Sequence, residues 1–244
     1  MASRLGQVIK SSSNSYVPAL RYHSLTRLYD PLVRITTREN VFKQALVRQA
    51  HVQGGQRILD LGCGTGTLAM MVKHAHPSVD VVGLDADPEA LNIARGKLEG
   101  AGVELRLDHG LASALPYPDD SFERVISSLF FHHLSSEVKQ KAMREVLRIL
   151  RPGGEFHLAD WGKPDNAAMR LAFVAVQILD GFATTRDNVK GLLPDLLKLA
   201  GFEEVETTRS YRTLLGTLSL YRATKPAVWT GAERRRFLQS GCPG

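Results

Sequence analysis

The chain has 244 residues, 43% apolar and 23% charged, an ordinary composition for a soluble globular protein of one α/β domain. Its net charge of +6 is spread over both ends: Arg4, Lys10, Arg21 and Arg27 precede the first acid, and Arg234, Arg235 and Arg236 lie near the other end. This reads as solubilising tails rather than a nucleic-acid or membrane surface. Two cysteines, Cys63 and Cys242, exclude a disulfide framework and a C-x-x-C zinc site. With no apolar run of membrane-spanning length and no secretory h-region, a cytoplasmic location is expected.

In chain order, residues 1–16 read as a disordered N-terminal tail with "SSSNS" as a joint. Residues 17–225 read as one domain, of which 17–52 is a helical cap of two helices broken near Pro31; residues 226–244 are a C-terminal tail. "RILDLG" is a buried strand, residues 65–76 a helix with Leu68, Met71 and Val72 on one face, and "VDVVGLD" a second strand. Asp87 and Pro88 supply an N-cap and a first-turn proline for a helix carrying Leu91, Ala94 and Leu98, ended by Gly100 and Gly102. "VELRL" is a short strand and "ERVISSLFF" an apolar one. Ser135 then caps a helix with Val138, Ala142, Val146 and Ile149, and "PGGEFHLAD" gives turn then strand. An apolar helical insert, "NAAMRLAFVAVQILDGF", and a shorter helix, "LLPDLLKLAGF", precede two closing strands, "EEVETTRS" and "TLLGTLSLY". The fold class is therefore α/β: a Rossmann-like, seven-stranded, mostly parallel sheet with helices on both faces. Its ligand site is expected outside the carboxyl ends of the central strands.

The segment "ILDLGCGTGTLA" places Gly62, Gly64 and Gly66 at such an end. No lysine follows, so the loop is not a P-loop, and Thr67 weakens the dinucleotide fingerprint G-x-G-x-x-G/A. Asp60, two positions before Gly62, opposes a pyrophosphate but attracts an ammonium. S-adenosylmethionine (SAM) carries an ammonium, a sulfonium and a carboxylate that suits the loop N–H groups, and no phosphate. A purely structural turn is the bland alternative. Asp85, about twenty residues on, suits a ribose, since Asp87 already suits the cap; that role serves NAD as well as SAM.

Taken together, "LDLGCGTG", "GLDADPEAL", "ALPYPDDSFERVISS", "LFFHHL" and "LRPGGEFHLAD" resemble the class I SAM-dependent methyltransferases, over roughly residues 40–225. "RPGGEFHLADWGKP" and "LAGFEEVETTRSYRTLLGTLSLYRATKP" are similar to the ubiquinone/menaquinone-biosynthesis C-methyltransferases. The resemblance implies that Asp60, Gly62, Cys63 and Gly64 border the methionine part of SAM and that Asp85 takes the ribose. It implies too that Ala86 and Gly110, Leu111 and Ala112 flank adenine, and that Ser128 approaches the amino-acid end. Relatives usually carry an acid where this chain has Leu111, which leaves adenine to backbone groups, apolar packing or a neighbour such as Asp108.

His132 and His133 follow the fourth strand, where a substrate-facing or general-base role competes with a hydrogen-bonded core role. Asp160 and Trp161 end the fifth strand and either border the same pocket or serve as a turn acid and its neighbour. No metal is expected: His74 and His76 read as a solvated helix end, and His132 and His133 as a pair without nearby acids. "SSLFFHH" stands where base amino-methylating enzymes carry [ND]-P-P-[YF], so no nucleic-acid partner is expected. The apolar insert, with Leu171, Phe173, Val174, Val176, Ile178, Leu179 and Phe182, fits a lid over the site, a homodimer face or plain core. The expected activity is methyl transfer from SAM to a small apolar or aromatic acceptor: a quinol, phenol or amine. The alternatives are a SAM-binding module without turnover and an NAD(P)-dependent oxidoreductase.

Overall fold

The computed structural model describes residues 39–227. The expectations for residues 1–38, including the first cap helix, and for residues 228–244 lie outside them. The described chain begins with α1 (Glu39–Gln49), which lies where the second cap helix is expected. The strands are β1 (Arg57–Leu61), β2 (Asp80–Asp85), β3 (Arg106–His109), β4 (Phe122–Ser128), β5 (Leu150–Trp161), β6 (Glu203–Thr213) and β7 (Gly216–Thr224). They form one sheet in the order β3-β2-β1-β4-β5-β7-β6. The pairs β1–β2, β1–β4, β2–β3 and β4–β5 are parallel, and β7 runs antiparallel to both β5 and β6. The seven-stranded, mostly parallel expectation is met. The strand order reverses at the β1/β4 boundary, which opens a crevice at the carboxyl ends of those strands.

Between the strands run α2 (Thr67–Ala75), α3 (Pro88–Ala101), α4 (Ser136–Ile149), α5 (Ala167–Asp180), α6 (Phe182–Lys190) and α7 (Leu193–Ala200). Their caps follow the sequence. Asp87 accepts from Glu89 N at the start of α3, Ser135 from Val138 N at α4, and Asn166 from Met169 N at α5. Helix α3 runs through Gly100 and stops at Gly102, whose left-handed backbone closes it. The third strand lies later than "VELRL", at Arg106–His109, where it pairs with the carboxyl half of β2.

Two apolar layers flank the sheet. Leu59 and Leu61 pack with Ala142, Met143 and Val146 of α4 and Leu193 and Leu197 of α7. Ile58 and Ile126, pointing the other way, pack with Phe42 and Leu46 of α1, Leu68 and Val72 of α2, and Phe173 and Val176 of α5. Period-two alternation along a strand makes one β1 residue serve each layer in turn. Asp60 shares the parity of Ile58 and is therefore carried towards α1 and α2.

The insert differs from a single helix. Gly181, at φ 99°, breaks it into α5 and α6. Phe173 and Val176 are core, while Leu171, Ile178 and Phe182 face solvent. Among the described residues no helix is long and apolar enough to cross a membrane.

Candidate functional site

The loop after β1 is built from backbone geometry. Gly62, Gly64 and Gly66 all have positive φ (69°, 52° and 75°). Gly62 N and Cys63 N both donate to Leu84 O, at 2.8 and 3.1 Å, and Gly64 N donates to Asp85 Oδ2 at 2.7 Å. Asp85 Oδ1 accepts from Asp87 N at 2.9 Å. Asp85 thus ties the loop to the end of β2, a structural duty that spacing alone does not reveal. Each of its oxygens keeps acceptor capacity for a hydroxyl donor. Burial raises the Asp85 carboxyl, and the N–H groups of Asp87 and Gly64 work against that rise.

Asp60 is 1% exposed, and its Oδ2 has no hydrogen-bond partner. Burial pushes its pKa up to about 7, against the opposing Lys43 charge and the Ala69 N–H. A buried carboxylate oxygen without a donor is half of an ion pair, and an ammonium is the other half. SAM fits on that ground: the N–H groups of Gly62, Cys63 and Gly64 are spent on Leu84 O and Asp85, and Asp60 supplies the buried acceptor for its ammonium. The folded chain holds on Asp60 a proton that the unfolded chain releases near pH 4. Its contribution to stability is therefore full below that pH and is lost as pH rises through about 7. Chemical denaturation from pH 4.5 to 8 (roughly the window set by those two values) should show wild type losing stability relative to Asp60→Asn. Parallel profiles would refute this.

One cavity runs from this loop towards the insert. Gly62, Leu84, Asp85, Ala86, Gly110, Leu111 and Ala112 line one end; Phe130, His133, Leu134, Val138 and Thr184 line the other. Seven of the sequence-expected residues therefore share a wall: Gly62, Asp85, Ala86, Gly110, Leu111, Ala112 and His133. Asp60, Cys63, Gly64, Ser128 and His132 do not line it. Cys63 is buried, its thiol pushed up by burial and by the neighbouring Asp60 and Asp85 carboxyls, so it is no thiolate. Leu111 is 39% exposed in a tight turn closed by Ala114 N to its carbonyl. Asp108 is already engaged by Tyr117 Oη at 2.9 Å and Arg106 Nε at 2.8 Å. Ser113, which the sequence reading missed, adds a hydroxyl to the same wall.

After β4 the chain turns sharply at Leu129, which holds a left-handed φ of 51°, and enters a 3₁₀ turn, Phe131–His133. Three consecutive side chains are sent in three directions. Phe131 enters the core, His133 reaches the cavity, and His132 is buried beneath it at 2% exposure. His132 Nδ1–H donates to Asp160 Oδ1 at 2.7 Å, and His132 N donates to Asp160 Oδ2 at 3.1 Å. Trp161 N donates to Asp160 Oδ1 as well, at 2.7 Å. Asp160 is thus fully buried as the anchor of His132, neither a turn acid nor a cavity wall, and Trp161 packs edge-on against His132 and Phe173.

The expectation that the histidines lack nearby acids is overturned. Besides Asp160, the last residue of α5 closes on the pair: Asp180 Oδ2 lies 3.6 Å from His132 Nε2, and Asp180 Oδ1 lies 3.7 Å from His133 Nδ1. A sequence signal existed, since an unpaired acid at a helix C-terminus opposes the helix dipole and needs a reason. Burial works to lower the His132 pKa, but Asp160 and Asp180 together leave it raised. Burial, aided by His132 and Lys139, drives His133 well down, so it is neutral at neutral pH.

Residues 58–154 match the methyltransferase domain family. The chain is 36% identical over 155 residues to a demethylmenaquinone methyltransferase of Thermus thermophilus, covering 64% of this chain and 67% of that one. It is 28% identical to the ubiquinone/menaquinone biosynthesis C-methyltransferase UbiE of Pseudomonas fluorescens, covering 84% and 87%. A solved SAM-dependent methyltransferase of Methanosarcina mazei shares the fold, with a TM-score of 0.62 at 20% identity over 75% of this chain and 98% of that one. Sheet order, glycine loop and family match together define a class I SAM-dependent methyltransferase, and the chain belongs to that family. SAM is its cofactor, which sets the oxidoreductase alternative aside. Within the family it is similar to the demethylmenaquinone and ubiquinone/menaquinone C-methyltransferase group.

Proposed function

We propose that the chain methylates a small aromatic acceptor bearing a hydroxyl group, of the quinol or phenol type. The carrying observation is the far end of the cavity, where Phe130, Leu134 and Val138 make an apolar wall around a neutral His133. The names of its relatives, demethylmenaquinone and ubiquinone/menaquinone C-methyltransferases, support the same class.

In this reading Asp60, with Gly62, Cys63, Gly64 and Ser128, holds the amino-acid part of SAM. Asp85 takes the ribose, and Ala86, Gly110, Leu111 and Ala112 enclose the adenine, with the Ser113 hydroxyl in reach of its edge. SAM supplies an electrophilic methyl on sulfur. The chain supplies alignment and the exclusion of water, which an in-line displacement needs most. Phe130, packed against the glycine loop, forms a side wall where donor and acceptor meet and leaves the line between sulfonium methyl and nucleophile open. His133 hydrogen-bonds the acceptor oxygen so that the nucleophilic atom faces the methyl.

The test is transfer of labelled methyl from SAM to 1,4-naphthoquinol under anaerobic conditions, with simple alkylamines as controls. His133→Ala should lower turnover about a hundredfold, the cost of a misplaced acceptor, with SAM affinity unchanged. Methylation of the amines alone, or full turnover by His133→Ala, would discard the proposal.

A further inference from the structure

We propose that His132, His133 and Asp180 form a binding site for a divalent first-row transition-metal ion, with an open position facing the acceptor end of the cavity. One nitrogen from each ring and one Asp180 oxygen lie within 4.8 Å of one another. The two N···O separations, 3.6 and 3.7 Å, exceed hydrogen-bond length. An ion about 2.1 Å from each donor sets neighbouring donors roughly 3.0–3.4 Å apart. The two N···O pairs therefore close with movements of a few tenths of an ångström, while the widest donor separation, within 4.8 Å, closes by at most about 1.8 Å.

The surroundings point the same way. Asp160 accepts the Nδ1 proton of His132, as carboxylates behind metal-bound histidines do. In the neutral ring that bond leaves the Nε2 lone pair facing an Asp180 oxygen, so a metal ion can take the place that a proton on Nε2 otherwise fills. The nearest buried ammonium, Lys139, is spent elsewhere: it pairs with Asp187 Oδ2 at 3.3 Å and donates to Thr184 O at 2.5 Å. Asp160 and Asp180 therefore share the single imidazole of His132, with no lysine or arginine among the described residues in salt-bridge contact with either. Two imidazoles and one carboxylate suit zinc, iron(II), cobalt(II) or manganese(II). His133 and Thr184 line the cavity, so the vacant coordination position is the one an acceptor reaches. Only this last step, that the position takes an acceptor oxygen, rests on the reading given under Proposed function.

The experiment is a titration of the untagged, EDTA-treated full chain with cobalt(II), without SAM or acceptor, followed by visible absorption. The expected result is one equivalent with d–d bands, retained in His74→Ala/His76→Ala, which removes the exposed helix-end pair. Asp160→Asn should weaken binding about 10- to 100-fold, and Asp180→Asn and His133→Ala by at least as much. Absence of bands, or binding lost with His74 and His76 but kept in Asp180→Asn, overturns the site. Should Asp180→Asn fail to fold, His133→Ala decides, because that side chain is 15% exposed; unchanged affinity there also overturns it. Methyl transfer does not enter the readout: cobalt bound without turnover sinks only the acceptor reading, and turnover without cobalt sinks only the site.

Discussion

Gly62→Ala is expected to abolish SAM-dependent stabilisation and to destabilise the fold by roughly 2–4 kcal/mol, combining a left-handed alanine with overpacking. A Cβ there would lie 2.8 Å from Phe130 Cβ and closer still to its ring Cγ and Cδ2. Neither side can yield easily. Gly62 N is bonded to Leu84 O, while Phe130 is packed edge-to-face on buried Phe131 and starts the 3₁₀ turn. Gly64→Ala is the natural comparison, because a Cβ at Gly64 meets nothing within 4 Å and only the φ of 52° is strained. Denaturant midpoints and thermal shifts with S-adenosylhomocysteine would check both. A Gly62→Ala protein with the midpoint and ligand shift of Gly64→Ala would refute the steric account.

His132→Ala is expected to cost about 3–5 kcal/mol, the range for removing one partner of a buried ion pair. Asp160 is fully buried, and losing the imidazole leaves it with two backbone donors and no balancing side chain. His133→Ala, at the cavity edge, should cost the fold far less while lowering turnover. Urea unfolding of the two variants side by side gives the answer: a loss below about 1 kcal/mol in His132→Ala, the level of an exposed pair, would show that Asp160 does not depend on it.

That contrast marks how far the sequence could be read. Strand and helix periodicity, the Asp87 and Ser135 caps and the glycine loop are local signals, and each stands where the sequence put it. The third strand shifted because its register is set by pairing with β2 rather than by its own alternation. The insert reads in sequence as one helical run through Gly181, yet Gly181 ends one helix and begins another, since its positive φ permits an immediate restart. In the candidate site, the positions next to the loop are legible because the loop fixes them within a few residues. The two histidines were indistinguishable in sequence. Only the left-handed turn at Leu129 and the long-range arrival of Asp160 and Asp180 separate a buried, carboxylate-held ring from a cavity-facing one. Contacts across tens of residues carry no periodicity and leave no local mark.

The seat of Phe130 on Gly62 bears on how such an enzyme diversifies. In the proposed reading one ring borders both the methyl donor and the acceptor, so the two halves of the active centre are not separate modules. Altering Phe130 to admit a bulkier acceptor would disturb the donor in the same stroke. Val138 on α4 and Thr184 on α6 line the same cavity from the helical side, where a change of side chain leaves the seat of Phe130 on Gly62 in place. New acceptor ranges in this scaffold should therefore arise from the helical side, with the turn after β4 inherited nearly unchanged.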